Sequence, residues 1–302
     1  MFSYNCEGVH KHLHTIAEMI DDYAPHLLLL QETKLHKHQE DTVANKLGVE
    51  RKFYLNSNDQ YVDDFAERLE VTSGNETHGT GIIVNTERLG DDFKIYEPQT
   101  ARIQHLRTQN INIINVYLPT LDTTQEGKQK LMGALSDLDL ILAPLKGEPV
   151  AVIGDFNLSI SHYPWRQKQF ANFFERNNLK LYSPATPTNF PRAENQKPAV
   201  LDHLACTEDF KNVRSDPIDR DRIPLNVSTH IPVLWKFEIK LEKSEKRKKK
   251  ERRSSTQRGS LNLTGGRELI RSSGEDWREF MFRWRRSTPE TSALLGGRRQ
   301  WK

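Results

Sequence analysis

Short apolar runs alternate along this chain with longer stretches of helical spacing. Apolar residues recur at Val9, Leu13, Ile16, Met19, Ile20 and Tyr23, the repeat of one helix face, and Pro25 ends that helix. His26 to Leu30 is a continuous apolar run, which predicts a strand buried on both faces and leads into Gln31-Glu32-Thr33. Lys34 to Asp64 is polar and mixed, and predicts a short helix and a strand around Phe53-Tyr54-Leu55. Asp63 to Thr77 has no period and reads as a surface loop. Gly79 to Val84 predicts a strand with a turn at Asn85. Ala101 to Leu106 and Ile111 to Leu118 predict two strands joined through Thr108-Gln109-Asn110. Gln125 to Leu145 is helical in pattern, with Leu131, Leu135, Leu138 and Leu142 on one face.

Val150 to Ile153 predicts a buried strand that ends in Gly154-Asp155-Phe156-Asn157. Residues two apart in an extended segment point the same way, so Asp155 and Asn157 are expected to project together from the strand end. Trp165 to Asn177 reads as a helix, followed by Leu179-Lys180-Leu181. Ser183 to Pro198 is rich in Pro and Asn and predicts a loop. Ala199 to Ala205 and Pro232 to Ile239 predict strands, the latter just after Val227-Ser228-Thr229-His230. Met1 to Asn5 looks like a strand clipped at its start, with little left to pair. This makes at least eight strands and three or four helices. Several strands follow one another without a helix, so two packed sheets flanked by helices fit better than a doubly wound sheet. There is no internal repeat.

Charge divides the chain. Residues 243–302 carry 18 Lys+Arg against 7 Asp+Glu, whereas residues 1–242 carry 26 against 34. The overall +3 therefore belongs to the tail, expected to be disordered, and the body is acidic. A domain over 1–242 is long enough for a sizeable core. Two cysteines, Cys6 and Cys206, with no CxxC argue against a disulfide framework or a zinc site. No apolar run reaches the roughly 18 residues of a membrane span, and no secretory signal pattern opens the chain. An intracellular protein is expected, nuclear if the basic tail acts as a localisation signal. The Asn-X-Ser/Thr matches at Asn75, Asn226 and Asn262 are then chance.

Polar residues recur at predicted strand ends: Asn5, Glu32, Tyr117, Asp155 with Asn157, Asp202 and His230. Singly, each has a bland reading. A Glu after a strand is usually solvated, an Asp-Asn pair after Gly is usually turn chemistry, and a Tyr in a strand is usually core. Together they follow an order. Ser3-Tyr4-Asn5, Gln31-Glu32-Thr33, His78-Gly79-Thr80-Gly81, Asn115-Val116-Tyr117-Leu118-Pro119, Gly154-Asp155-Phe156-Asn157, Leu201-Asp202-His203 and Ser228-Thr229-His230 closely resemble the endonuclease/exonuclease/phosphatase superfamily. Thr186 to Phe190 makes the chain most similar to endonuclease domains of non-LTR retrotransposons, and the basic tail resembles the start of the linker that leads to a polymerase there. No polymerase follows, so a truncated or stand-alone copy is expected.

The resemblance implies an α/β fold, a four-layer α/β sandwich of two packed mixed sheets flanked by helices, and metal-dependent cleavage of phosphodiester bonds. It implies Glu32 as principal Mg²⁺ ligand, with Asn5 close by and Glu7 at a metal-associated position; a hard cation prefers such oxygen donors. Asp155 is expected to deprotonate the attacking water, held by Asn157. His230 is expected to donate to the phosphate, with Asp202 fixing its tautomer and charge. Tyr117 is expected to donate to the phosphate or tune the base, and Thr188 to touch DNA.

Three departures stand out. Thr229 replaces the usual Asp of a Ser-Asp-His triplet, Ala199 replaces a common Ser, and the first strand is short. Weakened metal binding is expected from Thr229, and lost stability beside Asn5 from the short strand. The expected activity is nicking of DNA. The competing expectations are an abasic-site repair nuclease, a phosphatase of the same superfamily, or a degenerate remnant that only binds nucleic acid. The acidic body weakens a DNA-binding role, since phosphate contacts need cations. Arg102, Arg107, Arg192 and Lys197 are the candidates to supply them.

Overall fold

In the computed structural model, residues 1–48, 51–57, 79–96, 100–120, 123–159 and 163–240 are described. The strands are β1 (Phe2–Asn5), β2 (Leu27–Gln31), β3 (Arg51–Asn56), β4 (Thr80–Asn85), β5 (Phe93–Tyr96), β6 (Ile103–Thr108), β7 (Asn112–Tyr117), β8 (Val150–Asp155), β9 (Lys180–Tyr182), β10 (Asp202–Cys206), β11 (Phe210–Pro217) and β12 (Val233–Ile239). The helices are α1 (Val9–Tyr23), α2 (Glu40–Leu47), the single turn α3 (Thr86–Leu89), α4 (Gln125–Leu142) and α5 (Pro164–Arg176). The expected loop over 63–77, His78 and the basic tail lie outside the described residues.

The strands form two six-stranded sheets, ordered β11-β12-β1-β2-β4-β3 and β5-β6-β7-β8-β10-β9. Each sheet is antiparallel except for one central parallel pair, β1 with β2 and β7 with β8. Each parallel pair is joined by a helix, α1 or α4, as a parallel crossover requires. The two sheets thus share one pairing scheme, although the sequence shows no repeat.

Alternation along the strands builds the layers. Leu28 and Leu30 of β2 pack with Val9, Ile16, Met19 and Ile20 of α1. Their neighbours Leu27 and Leu29 face the other sheet, against a cluster that includes Ala151 and Ile153 of β8. Val150 and Val152 of β8 pack instead with Leu131, Leu135, Leu138, Phe170 and Phe173 of α4 and α5. Both central strands are covered on both faces, which is why their sequences are unbroken apolar runs. Helix, sheet, sheet and helix make the four-layer α/β sandwich. Helix α1 ends where Ala24 turns left-handed at φ 40 and donates to the Ile20 carbonyl at 2.9 Å, and Pro25 bars continuation.

The clipped-strand expectation is corrected here. β1 is no weak edge but lies inside its sheet, paired with β12 on one side and β2 on the other. All four of its residues are buried.

A polar tie crosses between the sheets. Gln31, the last residue of β2, donates to the Asn115 side chain at 2.7 Å and to the Ser3 hydroxyl at 3.2 Å. Asn115 donates in turn to the carbonyls of Leu30 and Gly81. All three side chains are buried, so each hydrogen bond replaces a hydration that folding removed. This tie locks the two central strand pairs together directly beneath the site.

Candidate active site

Topology gathers the predicted residues. The carboxyl ends of all four parallel strands meet at one rim, carrying Asn5, Glu32, Tyr117 and Asp155. Because β10 runs antiparallel to β8, its first residue Asp202 lies opposite Asp155. β12 runs antiparallel to β1, so His230, three residues before β12, comes to the same rim.

Asp155 has the parity of Ala151 and Ile153, and its carboxylate is fully buried between the sheets. Asn157 reaches it by a different geometry from the one expected. The strand stops at Asp155, Asn157 turns left-handed at φ 46, and its backbone N–H donates to Asp155 Oδ1 at 2.8 Å. The Asn157 side chain donates to the Leu118 carbonyl at 2.9 Å and to Asp155 Oδ2 at 3.3 Å. An Asx turn, and not the strand pleat, brings the two together.

Asn5 donates through one amide nitrogen to Glu32 Oε1 and to Asp155 Oδ2, both at 3.0 Å. It stands as a bridge between two carboxylates, while its Oδ1 accepts from the Glu7 N–H at 3.2 Å. Glu32 also pairs with Lys34 at 3.1 Å and with the Tyr117 hydroxyl. Burial raises the Glu32 pKa, but the Asn5 amide, Lys34 and Tyr117 outweigh it and hold the carboxyl below its ordinary value. Tyr117 is buried with Arg102 4.9 Å over its ring, and burial with two carboxylates nearby pushes its hydroxyl up, so it stays a donor.

His230 Nδ1 donates to Asp202 Oδ2 at 2.9 Å, and its Nε2 faces Asp155 Oδ2 at 3.8 Å, too far for a hydrogen bond. Burial alone would lower the His230 pKa. The Asp202 carboxylate, with Asp155 and Glu32 behind it, overcomes this and raises it to about 9. Burial raises Asp155 to about 7, with Asp202 adding and His230 opposing. The pair therefore combines an imidazolium able to donate to a phosphate oxygen with a carboxylate poised near neutrality as a base.

A stability prediction follows with its sign. Folded and unfolded His230 are both charged below pH 6.5, so its contribution is complete there. As pH rises from 6.5 towards 9 only the folded state keeps the proton, and stability from this group is lost across that window. We expect a ring-resolved NMR titration to find His230 protonated at pH 7.5. In Asp202→Asn its pKa should fall by more than about one unit.

The Thr229 position reads differently in three dimensions. The Thr229 hydroxyl donates to Glu7 Oε1 and accepts from the Asn189 amide at 3.1 Å. Arg192 holds the other Glu7 oxygen at 3.2 Å. Glu7 thus places a carboxylate at this corner, oriented by Thr229 and Arg192. Glu7, Glu32, Lys34 and Asn157 all adopt positive φ, four of the seven non-glycine residues that do so among the described residues. Such conformations cost on the order of 1–3 kcal/mol each and collect where side chains are held for function.

Thr188 is corrected. It is fully buried, and its hydroxyl accepts from the backbone N–H groups of Leu201 and Asp202 at 3.1 and 3.2 Å. It sets the entry to β10 and has no surface to offer DNA. Arg107 pairs with Glu148 beside the start of β7, at the opposite rim, so it does not face the site. Ala199 contributes only backbone, bonded to Thr188 and Asn189.

Sequence reasoning assigned no role to Lys34, Gln31, Asn115 or Arg166, or to the buried Asn226. Arg166, on α5, donates to the carbonyls of Pro119 and Phe156 at 2.6 and 3.1 Å and so braces both loops that flank Asp155. A lone Arg in a helical pattern carries no signal of that. His203, beside Asp202, is structural: buried, it bonds Ser183 and the Leu158 carbonyl.

Among the described residues no three His, Cys, Asp or Glu side chains form a closed metal cage. An ionised, partly exposed Glu32 instead suits a hard cation that keeps most of its waters. Glu32 would hold such an ion, which would polarise the phosphate; Asn5 would orient Glu32, and Glu7 would lie at the edge.

The endonuclease/exonuclease/phosphatase family model matches residues 2–230, and the chain belongs to that family. Its fold is similar to that of a 3′ phosphatase, NExo, from Neisseria, solved with a product DNA hairpin (17% identity, 78% of this chain and 98% of that one, TM-score 0.58). It is similar to an AP endonuclease from Archaeoglobus fulgidus (14% identity, 79% and 98%, TM-score 0.59). It is also similar to the endonuclease domain of TRAS1, a telomere-specific non-LTR retrotransposon (15% identity, 80% and 98%, TM-score 0.54). No curated protein matches the chain. No helix among the described residues is long and apolar enough to cross a membrane.

Proposed function

We propose that this chain is a Mg²⁺-dependent phosphodiester hydrolase that nicks DNA in the manner of a retrotransposon endonuclease. The observation that carries the reading is the convergence of Asp155 on both halves of the site: 3.0 Å from the Asn5 amide that also holds Glu32, and facing His230 across 3.8 Å. Asp155, its carboxylate held by Asn157, takes the proton of the attacking water as the new P–O bond forms and the bond to the leaving sugar oxygen breaks, that oxygen taking its proton from solvent. The charged His230, kept so by Asp202, donates to the non-bridging phosphate oxygen as negative charge builds there. Tyr117 holds Glu32, and Lys34 limits its charge. A metal held at Glu32 would supply charge neutralisation at the phosphate. The domain comprises 1–242, and the basic tail adds salt-dependent, sequence-independent attraction to DNA.

A substrate panel tests this. Supercoiled plasmid, a duplex with one abasic site and a duplex ending in a 3′ phosphate are offered at equal concentration with Mg²⁺. Nicking of intact DNA at a rate within an order of magnitude of abasic cleavage supports the reading. Cleavage confined to the abasic duplex makes the chain a repair nuclease instead, and release of phosphate alone makes it a phosphatase.

Thr229 gives a prediction about the metal. Thr229→Asp sets a second carboxylate beside Glu7, which costs stability without a cation and is relieved by one. The Mg²⁺-induced rise in melting temperature should be larger in Thr229→Asp than in the parent, by about 2–4 °C for each kcal/mol gained. Differential scanning fluorimetry with and without EDTA reads it. Equal shifts would show that this corner does not see the metal.

A further inference from the structure

Asn226 sits in an Asn-X-Ser pattern, yet its side chain is turned inward and only 6% exposed. Its Oδ1 accepts from the Tyr4 hydroxyl at 2.8 Å and from the Ser228 N–H at 3.0 Å, while its Nδ2 donates to the His230 carbonyl at 2.9 Å. Ser228 extends this network, donating to the Asn5 carbonyl at 2.9 Å. The loop before His230 is therefore gripped from inside by β1. A loop anchored at Asn226 turns its neighbours outward, and Leu225 and Val227 are 53% and 57% exposed.

Isolated exposed apolar residues need no explanation. These two differ by placement. Among the described residues five large apolar side chains are exposed, and the other three lie on α4 and α5. Leu225 and Val227 share one short loop that ends at His230. A single Arg192 nitrogen contacts both the Val227 carbonyl at 2.7 Å and Glu7 Oε2 at 3.2 Å, so Val227 and the metal edge of the site lie two hydrogen bonds apart. The Arg192 side chain is 72% exposed, which leaves a cation facing solvent beside the apolar pair. Arg220 stiffens the other side by donating to the Ser228 carbonyl at 2.9 Å.

We propose that Leu225 and Val227 form a rigid apolar ridge that contacts DNA beside the scissile phosphate. This rests on the hydrolase reading above for where the phosphate lies. Apolar side chains flanked by a cation suit the sugar and base faces of a nucleic acid whose phosphates are neutralised nearby. Because Asn226 fixes the loop in advance, little order is lost when the ridge meets the DNA. Removing the ridge should weaken substrate binding and spare the chemistry.

The test uses the full chain. Binding of a fluorescein-labelled DNA duplex is followed by anisotropy in EDTA, where turnover is suppressed. The Leu225→Ser/Val227→Ser double variant is expected to bind about tenfold more weakly. Leu140→Ser, which removes an apolar side chain exposed on α4, should leave affinity unchanged. Hydrolysis of bis(p-nitrophenyl) phosphate, too small to reach the ridge, should be the same in parent and double variant. Unchanged DNA affinity, an equal loss in Leu140→Ser, or a parallel loss on the small diester would overturn the proposal. So would a double variant whose affinity holds while its sedimentation shifts from dimer to monomer, which would place a second copy on the ridge. A parent that hydrolyses no phosphodiester defeats the hydrolase reading, and the affinity comparison still decides the ridge.

Discussion

Asp155→Asn should lower kcat for DNA cleavage by about three orders of magnitude, within the 10²–10⁴ span of a lost general base. The amide matches the carboxylate in shape but cannot take a proton from water. Asp155 is fully buried opposite Asp202, and burial raises its pKa to about 7. Replacing it removes one of two facing carboxylates and also one partner of the charged His230. Both Asp155 oxygens also accept N–H bonds, so the new amide nitrogen faces a donor; relief of the Asp202 repulsion offsets part of these losses, and stability should fall by about 1–2 kcal/mol, or roughly 2–8 °C in melting temperature. KM should change little, because Glu32 and Tyr117 keep their own side chains. A loss of activity accompanied by a large drop in melting temperature would assign Asp155 to structure. Activity that survives the substitution would refute its role as base.

Gly154→Ala should have the largest effect on stability. Gly154 has φ +148, a conformation that L side chains rarely adopt. A Cβ there would stand 2.0 Å from the Val116 carbonyl oxygen and 2.9 Å from its carbon. Both are backbone atoms of the paired strand, so no side chain can turn aside. Relief requires the parallel pair β7 and β8 to separate, with a cost of about 3 kcal/mol or more from overpacking and strain together. The melting temperature should fall by about 6–12 °C. Activity should fall too, because Tyr117 and Asp155 are the next residues on the two strands being forced apart. Gly133→Ala is the contrast. Gly133 lies inside α4 with open space around its Cβ position, and Ala there should stabilise by about 0.5–1 kcal/mol. A destabilisation at Gly154 no larger than about 0.5 kcal/mol would show that the strands yield easily, against the tight packing described above.

Much of the fold was legible because its central elements are periodic. The β2 run from Leu27 to Leu30 and the α4 stripe of leucines are direct images of double burial and single-face burial. The strands that escaped notice are edges. β5 and β11 each pair on one side only, and most of their residues are partly or fully exposed, so neither alternation nor an apolar run marks them. β1 was legible as a strand but misjudged as weak, because its partner β12 lies more than 200 residues away.

The same distance limits reading of the site. Residue types at strand ends pointed to this rim, since strand ends are where loops and sheets meet. The contacts that give those residues their chemistry span the chain. Thr229 and Glu7 are 222 residues apart, and Arg192 and Glu7 are 185 apart. Spacing along the sequence carries no trace of either pair, so the contact of Thr229 with Glu7 could not be read there. Thr188 failed in the opposite sense. Its expected role rested on the family resemblance, and the bonds from Leu201 and Asp202 show the side chain turned inward. Asn157 reached the expected partner by a turn, because a left-handed residue follows the strand.

The central claim is that the rim formed by Asp155, Asn5, Glu32, Asp202 and His230 is a working, metal-dependent phosphodiester hydrolase site with Thr229 in place. The most direct measurement is nicking of supercoiled plasmid by the unaltered chain, with Mg²⁺ and with EDTA, beside Thr229→Asp. Nicked circles are expected from the unaltered chain in Mg²⁺ and none in EDTA. No nicking by the unaltered chain, with activity appearing only in Thr229→Asp, would contradict the claim.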